Sequence, residues 1–222
     1  MKKKAISLGL GLGLLGIGLI GGVCKSYKEN SMQVQYFVED CIDKLDQSTR
    51  IEMKEVPLSW GKRYNVIVDN NRIGTVYEDV FNWGKRFDFY AGTKEKGKHL
   101  GYAQEKILSF GHQSTVYDSS GNKIGRLDEV VLSFNPGHLI EIYDFNNTKV
   151  ATSDERGMSL VHTTDIIDNE KRTIGGTVKS VFWDDYTITL NNNDIDKRLI
   201  LSLVAMEDKL DDERDSKDKE SK

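Results

Sequence analysis

Lys62-Arg63 and Lys85-Arg86 are the side chains of this 222-residue chain best suited to chemistry with an anion. They stand in LSWGKRY and FNWGKRF, each after an aromatic residue and a glycine, so each pair is presented from a turn. An ammonium beside a planar guanidinium suits phosphate oxygens, and anionic lipid headgroups are the natural ligand at a membrane. The loop GTKEKGKH adds Lys94, Lys96 and Lys98 as a second cationic patch. The plainer reading is that charged turns keep strand ends soluble. Nucleic acid is not an expected partner, because net charge is −4 and no segment after the first 23 residues is basic.

Other chemistry finds little footing. His99, His112, His138 and His162 lack the i, i+4 or H-x-H spacing of a metal site. The sequence has no nucleophile elbow, phosphate loop or Cys–His pairing. Asp128-Glu129 and Asp184-Asp185 fall in or beside expected strands, where neighbours point to opposite faces and make no acid–base couple. The acidic run DKLDDERD lacks the order and turn glycine of a calcium loop. Cys24 and Cys41 form neither a disulfide framework nor a metal pattern. The expectation is a protein that binds rather than catalyses, with no cofactor and no metal.

The elements that would position these cations form a repeat. A bulky residue beside a turn recurs at Trp60, Trp83, Phe110, Phe134, Leu160 and Trp183, at spacings of 23, 27, 24, 26 and 23. Between the markers run alternating segments such as YNVIVD, STVYD, LIEIYD and DYTITL, which predict strands. DNNR, DSSGNK, DFNNTK and DNEKR predict tight turns, since Asn and Gly accept positive φ and Asp caps its own backbone. The reading is mainly β: six hairpins, twelve antiparallel strands, closed into a barrel because closure removes exposed edges. Successive hairpins would then set the four cations side by side at one barrel end.

Twelve strands enclose more space than their own side chains fill. Leu199, Ile200, Leu201, Leu203, Val204, Ala205 and Met206 make the predicted helix 195–210 apolar all round, with Asp194 or Asp196 as its cap. The uncharged run Leu199–Met206 is too short to cross a bilayer. The helix is therefore expected inside the barrel, in a domain spanning 50–210, with 211–222 as a disordered charged tail.

Residues 1–24 read differently. Lys2 to Lys4 precede an uncharged stretch, Ala5–Val23, that spans about 28 Å as a helix. This predicts an uncleaved signal anchor, with cleavage near Gly22 and acylation of Cys24 as the alternatives. Gly9 with Gly13, and Gly18 with Gly22, are GxxxG pairs suited to helix packing and self-association. The basic cluster keeps the amino terminus in the cytosol, so the expected location is the cell membrane, single-pass, with the barrel extracytoplasmic. In the juxtamembrane segment 25–49, Phe37, Cys41 and Leu45 share one helical face with Val38 and Ile42 beside it. That amphipathic helix would pack on the barrel or lie at the membrane surface, with Cys41 as a small buried hydrophobe.

The units LSWGKRYNV, FNWGKRFDF, ILSFGHQSTVYDSSGNKIG and LSFNPGHLIEIYD, closed by LILSLVAMED, resemble the LURP-one-related family of the tubby C-terminal-like superfamily over roughly Arg50 to Asp208. The resemblance implies a twelve-stranded barrel around a central helix, the fold shared with tubby proteins, which bind phosphoinositides, and with phospholipid scramblases. The resemblance implies the fold much more than the function, and membrane lipids as partners follow from it only together with the anchor. The expected function is a membrane-anchored binding protein that contacts anionic headgroups. The alternatives are scramblase-like lipid translocation as an oligomer, or an envelope adaptor for a protein partner.

Overall fold

Period-two alternation of burial runs through most strands of the barrel, among them Arg63–Val68, Gln113–Asp118, Leu139–Asp144 and Thr163–Asp168. The computed structural model describes residues 37–220 apart from 83, 110, 132–136, 157–161, 181–183 and 193, and apart from the side chains of 217, 218 and 220. The expectations for Gly9, Gly13, Gly18, Gly22 and Cys24 lie outside the described residues, as do all the repeat markers except Trp60. Among the described residues no helix is long and apolar enough to cross a membrane. Two compact units divide the chain, Met1–Asp40 and Cys41–Lys222.

The second unit contains twelve strands: β1 (Arg50–Glu55), β2 (Arg63–Val68), β3 (Asn71–Asp79), β4 (Arg86–Ala91), β5 (Lys98–Glu105), β6 (Gln113–Asp118), β7 (Lys123–Glu129), β8 (Leu139–Asp144), β9 (Lys149–Glu155), β10 (Thr163–Asp168), β11 (Thr173–Lys179) and β12 (Asp185–Leu190). Each pairs antiparallel with its sequence neighbour, and β1 pairs with β12, so the sheet is a closed barrel. Alternate residues such as Tyr64, Val66 and Val68 on β2, or Tyr186, Ile188 and Leu190 on β12, are buried. The repeat extends to fine structure. The hairpins β2–β3, β4–β5, β6–β7, β8–β9 and β10–β11 each shift register at the equivalent place, near Val66, Phe89, Val116, Ile142 and Ile166. Such bulges sharpen local twist and help the sheet curl.

The hairpin turns between those strands define one barrel end, the base. Asp118, Asp144 and Asp168 each accept two backbone N–H groups of their own turn at 2.8–2.9 Å, the same device three times. The other connections, β1–β2, β3–β4 and so on, define the opposite end, the mouth.

After β12 the chain turns at the base and enters the lumen as helix α2 (Lys197–Glu220). Asp196 is the cap, its Oδ1 accepting the Arg198 N–H at 2.9 Å. Every residue from Leu199 to Leu210 is buried, because strands surround the helix. At Gly125 an added Cβ would stand 2.9 Å from a Leu199 methyl and 2.3 Å from the Tyr143 carbonyl, so glycine lets helix and wall approach.

The helix does not stop at Leu210. It continues to Glu220, over most of the segment expected to be a disordered tail. The reason is electrostatic: Asp211, Asp212, Glu213 and Arg214 each pair with a barrel residue at the mouth. A helix of residues 37–47, α1, precedes β1 within the expected segment 25–49. Its Cys41 and Leu45 are buried and share a pocket with Val66, Ile73, Phe89 and Ala91.

Candidate functional site

The mouth collects most of the ion-paired groups of the barrel. A cation or histidine stands just before each of five even strands: Lys62, Lys85, His112, His138 and His162. Opposite them stand Glu78, Glu105, Glu129, Glu155 and Lys179 near the ends of odd strands. Main-chain bonds fix each facing pair, the latter residue's N–H donating to the former's carbonyl at 2.8–3.0 Å. The repeat thus sets a belt around the opening in which four of the five facing pairs join a basic residue to a glutamate.

Each glutamate in the middle of the belt bridges two units. Glu129 Oε2 accepts the His112 N–H at 3.0 Å, while its Oε1 lies 3.3 Å from the His138 ring. Glu155 Oε2 accepts the His138 N–H at 2.9 Å, and its Oε1 lies 3.0 Å from the His162 ring. The His138 ring holds Glu129 below the usual carboxylate range against the opposing effect of burial. Burial pushes Glu155 up, but the His138 N–H, the His162 ring and Arg214 outweigh it and leave its carboxyl low. At the β12–β1 seam two carboxyls, Glu55 and Asp184, meet instead. Burial and the hydrogen bond to Asp184 push Glu55 up to about 7.

Helix α2 completes the site by crossing the belt's centre. Asp208, fully buried, accepts from Lys62, from Tyr64, from Lys179 at 2.9 Å and from the Tyr186 hydroxyl at 2.9 Å. Burial pushes Asp208 up, yet Lys179 and Lys62 outweigh it and keep the carboxyl below its ordinary range. One residue earlier, Glu207 accepts from Ser153 Oγ at 2.7 Å and Thr177 Oγ1 at 3.1 Å. Among the described residues no cation is paired with it, and burial pushes its carboxyl up to about 7. Lys209 donates to Glu105, and Glu213 reaches His112 Nε2 at 3.1 Å. The bond to Glu105 raises the His112 pKa.

The four cations of the WGKR phrases do not form one patch. Strand alternation sends the members of each pair apart. Lys62 is committed to Asp208 and Asp212 at the helix, and Arg63 lies on the outer wall with its guanidinium 4.8 Å from the Tyr77 ring centre. Lys85 is exposed at the mouth, whereas Arg86 lies on the outer wall, paired with Asp88 at 2.7 Å and stacked 3.9 Å over Tyr102. Lys94, Lys96 and Lys98 are exposed at the base, so they share no site with the mouth lysines. The phrase itself recurs because its glycine is needed. Gly61, Gly84 and Gly111 have φ of 75°, 77° and 84° in equivalent turns, and a Cβ on Gly84 would meet the Glu105 carbonyl at 2.7 Å.

Those turns also hold large apolar side chains in solvent. Leu58 and Trp60, then Phe81, then Ile107 and Leu108 are exposed on three successive mouth connections. Ser59 and Ser109 close the first and third turns alike, donating to the Gly61 and Gly111 carbonyls at 2.7 and 2.6 Å. Leu58 is fully exposed at a φ of 60°, an uncommon backbone state for a leucine. Both the belt and these tips escape the sequence reading. A signal for the belt exists, because Glu55, Glu78, Glu105, Glu129 and Glu155 follow one another at 23, 27, 24 and 26 residues, in step with the bulky markers. Compared with protein-family models, curated proteins and solved structures, the chain has no match.

Proposed function

We propose that this chain is a membrane-associated, non-enzymatic binding protein whose barrel mouth docks on a lipid surface carrying anionic headgroups. The observation that carries this reading is the set of exposed apolar tips, Leu58, Trp60, Phe81, Ile107 and Leu108, gathered on successive turns at one end. Contiguous exposed apolar surface rimmed by polar groups marks an interaction site. Lys85 and Lys106 stand exposed beside the tips and supply attraction to anionic headgroups. Burying a Leu or Phe side chain fully is worth about 1.5–3 kcal/mol, against about 1 kcal/mol for a lysine near an anionic surface. The tips therefore dominate affinity and the lysines select the surface. The uncharged segment Ala5–Val23 and the LURP-one-related resemblance point the same way from the sequence, toward a tethered barrel at the cell membrane.

Flotation of residues 25–222 with neutral and anionic liposomes tests the proposal. Binding is expected to both, stronger to anionic vesicles. Trp60→Ser, Phe81→Ser and Leu108→Ser together remove it, while Lys85→Ala with Lys106→Ala removes only the anionic increment and its salt dependence. Unchanged flotation in the apolar variant, or none by the wild type, overturns the reading and favours a protein ligand at the mouth.

A further inference from the structure

Among the repeat-equivalent histidines of the mouth, His138 is engaged differently from the others. Its Nδ1 faces Glu129 Oε1 at 3.3 Å, and its Nε2 is buried without a hydrogen-bond partner. A histidine that donates Nδ1–H to a carboxylate presents the Nε2 lone pair with a fixed ring orientation, the usual preparation of a metal ligand. A ring nitrogen of His138 and one oxygen each of Glu155 and Asp211 lie within 4.8 Å of one another. His162 Nδ1 is 3.0 Å from Glu155 Oε1 and 4.0 Å from Asp211 Oδ1. Four elements meet here: the turns before β8 and β10, the end of β9, and α2.

From this geometry we infer that His138, Glu155 and Asp211, with His162 as a fourth ligand, form a binding site for a first-row divalent transition metal. Two imidazoles and two carboxylates are the nitrogen–oxygen set that suits zinc and its neighbours. Ligand atoms around such an ion stand roughly 3.3 Å apart, so closing from 4.8 Å takes side-chain rotation rather than backbone movement. The site already carries a resident cation of the protein's own. The Arg214 guanidinium reaches Asp211 Oδ1 at 2.5 Å and Glu155 Oε1 at 3.4 Å. Metal and Arg214 thus compete for the same two carboxylates. Binding releases the guanidinium, and with it one of the ties that hold the outer turns of α2 to the barrel. The ligands are far apart in the chain and come from different repeats, which is why spacing rules miss them.

Equilibrium dialysis of the tag-free full chain in detergent with zinc, and the visible spectrum of the cobalt-loaded protein, test the site. One zinc per chain is expected. His138→Gln, Glu155→Gln and Asp211→Asn each weaken binding at least about tenfold, and Glu129→Gln weakens it roughly 10–100-fold by loosening the His138 ring. Arg214→Gln tightens it. Circular dichroism without metal checks that each variant folds, and Asp211→Asn, on the part of α2 leaving the barrel, carries the test if His138→Gln does not. Equal zinc uptake by wild type, His138→Gln and Asp211→Asn overturns the assignment. Weaker binding by Arg214→Gln overturns the competition.

Discussion

Asp208 and Glu207 are adjacent carboxyls in opposite predicaments. Asp208 is the shared acceptor of two lysines and two tyrosines, so Asp208→Asn leaves Lys62 and Lys179 half-buried beside a neutral group. Losing one partner of such a network is expected to destabilise by about 3–5 kcal/mol, read as a lower urea midpoint with an unchanged m-value. Among the described residues the donors to Glu207 are hydroxyls, and burial pushes its carboxyl from the ordinary 4.5 up to about 7. A carboxyl raised on folding contributes stability that is complete below pH 4.5 and lost as pH rises through about 7. The loss is on the order of 3 kcal/mol. Glu207→Gln keeps the hydrogen bonds without the charge, so its melting temperature is expected to match wild type near pH 4.5 and exceed it at pH 8. Asp208, whose carboxyl is depressed, acts with the reverse sign and withdraws support only in acid.

Among elements, the mouth turn is the unit that the repeat copies, and its glycine is where copying is enforced. Gly84→Ala combines a positive φ with a backbone carbonyl 2.7 Å from the new methyl, whereas Gly121, at a φ of 84°, has nothing within 4 Å. Gly121→Ala is expected to lower stability by about 1 kcal/mol from backbone strain alone, and Gly84→Ala by clearly more, as measured by chemical denaturation. The strands and base turns are legible in the sequence because their causes are local: YNVIVD alternates within itself, and Asp118 caps a turn four residues long. Helix α2 is legible as far as Leu210 because its apolar residues need cover on every side. Its continuation to Glu220 is not, since Asp211, Asp212 and Arg214 are held by Lys179, Lys62 and Glu155, partners 32 to 150 residues away that only the closed barrel brings near. The fate of Lys62 is hidden for the same reason: alternation explains why it parts from Arg63, but not that a buried carboxylate waits for it.

At the scale of the molecule, each strand lies beside its predecessor, and only the seam of β1 with β12, where Arg50 stands opposite Thr189, joins distant segments. The filler of the lumen comes after both. On a ribosome adding about 5–20 residues per second, roughly 4–20 s separate the completion of β6 from the arrival of α2. Throughout that interval the early hairpins exist with an unpaired edge and an apolar inner face. A stalled chain ending at Asp196 is therefore expected to be cut rapidly by protease, and one released after Glu220 to resist. The first half of this protein cannot mature ahead of the second. Whatever compartment receives it must shelter an unfinished, adhesive sheet until α2 is made, and a delay over the two dozen codons of that helix would leave the lumen unfilled.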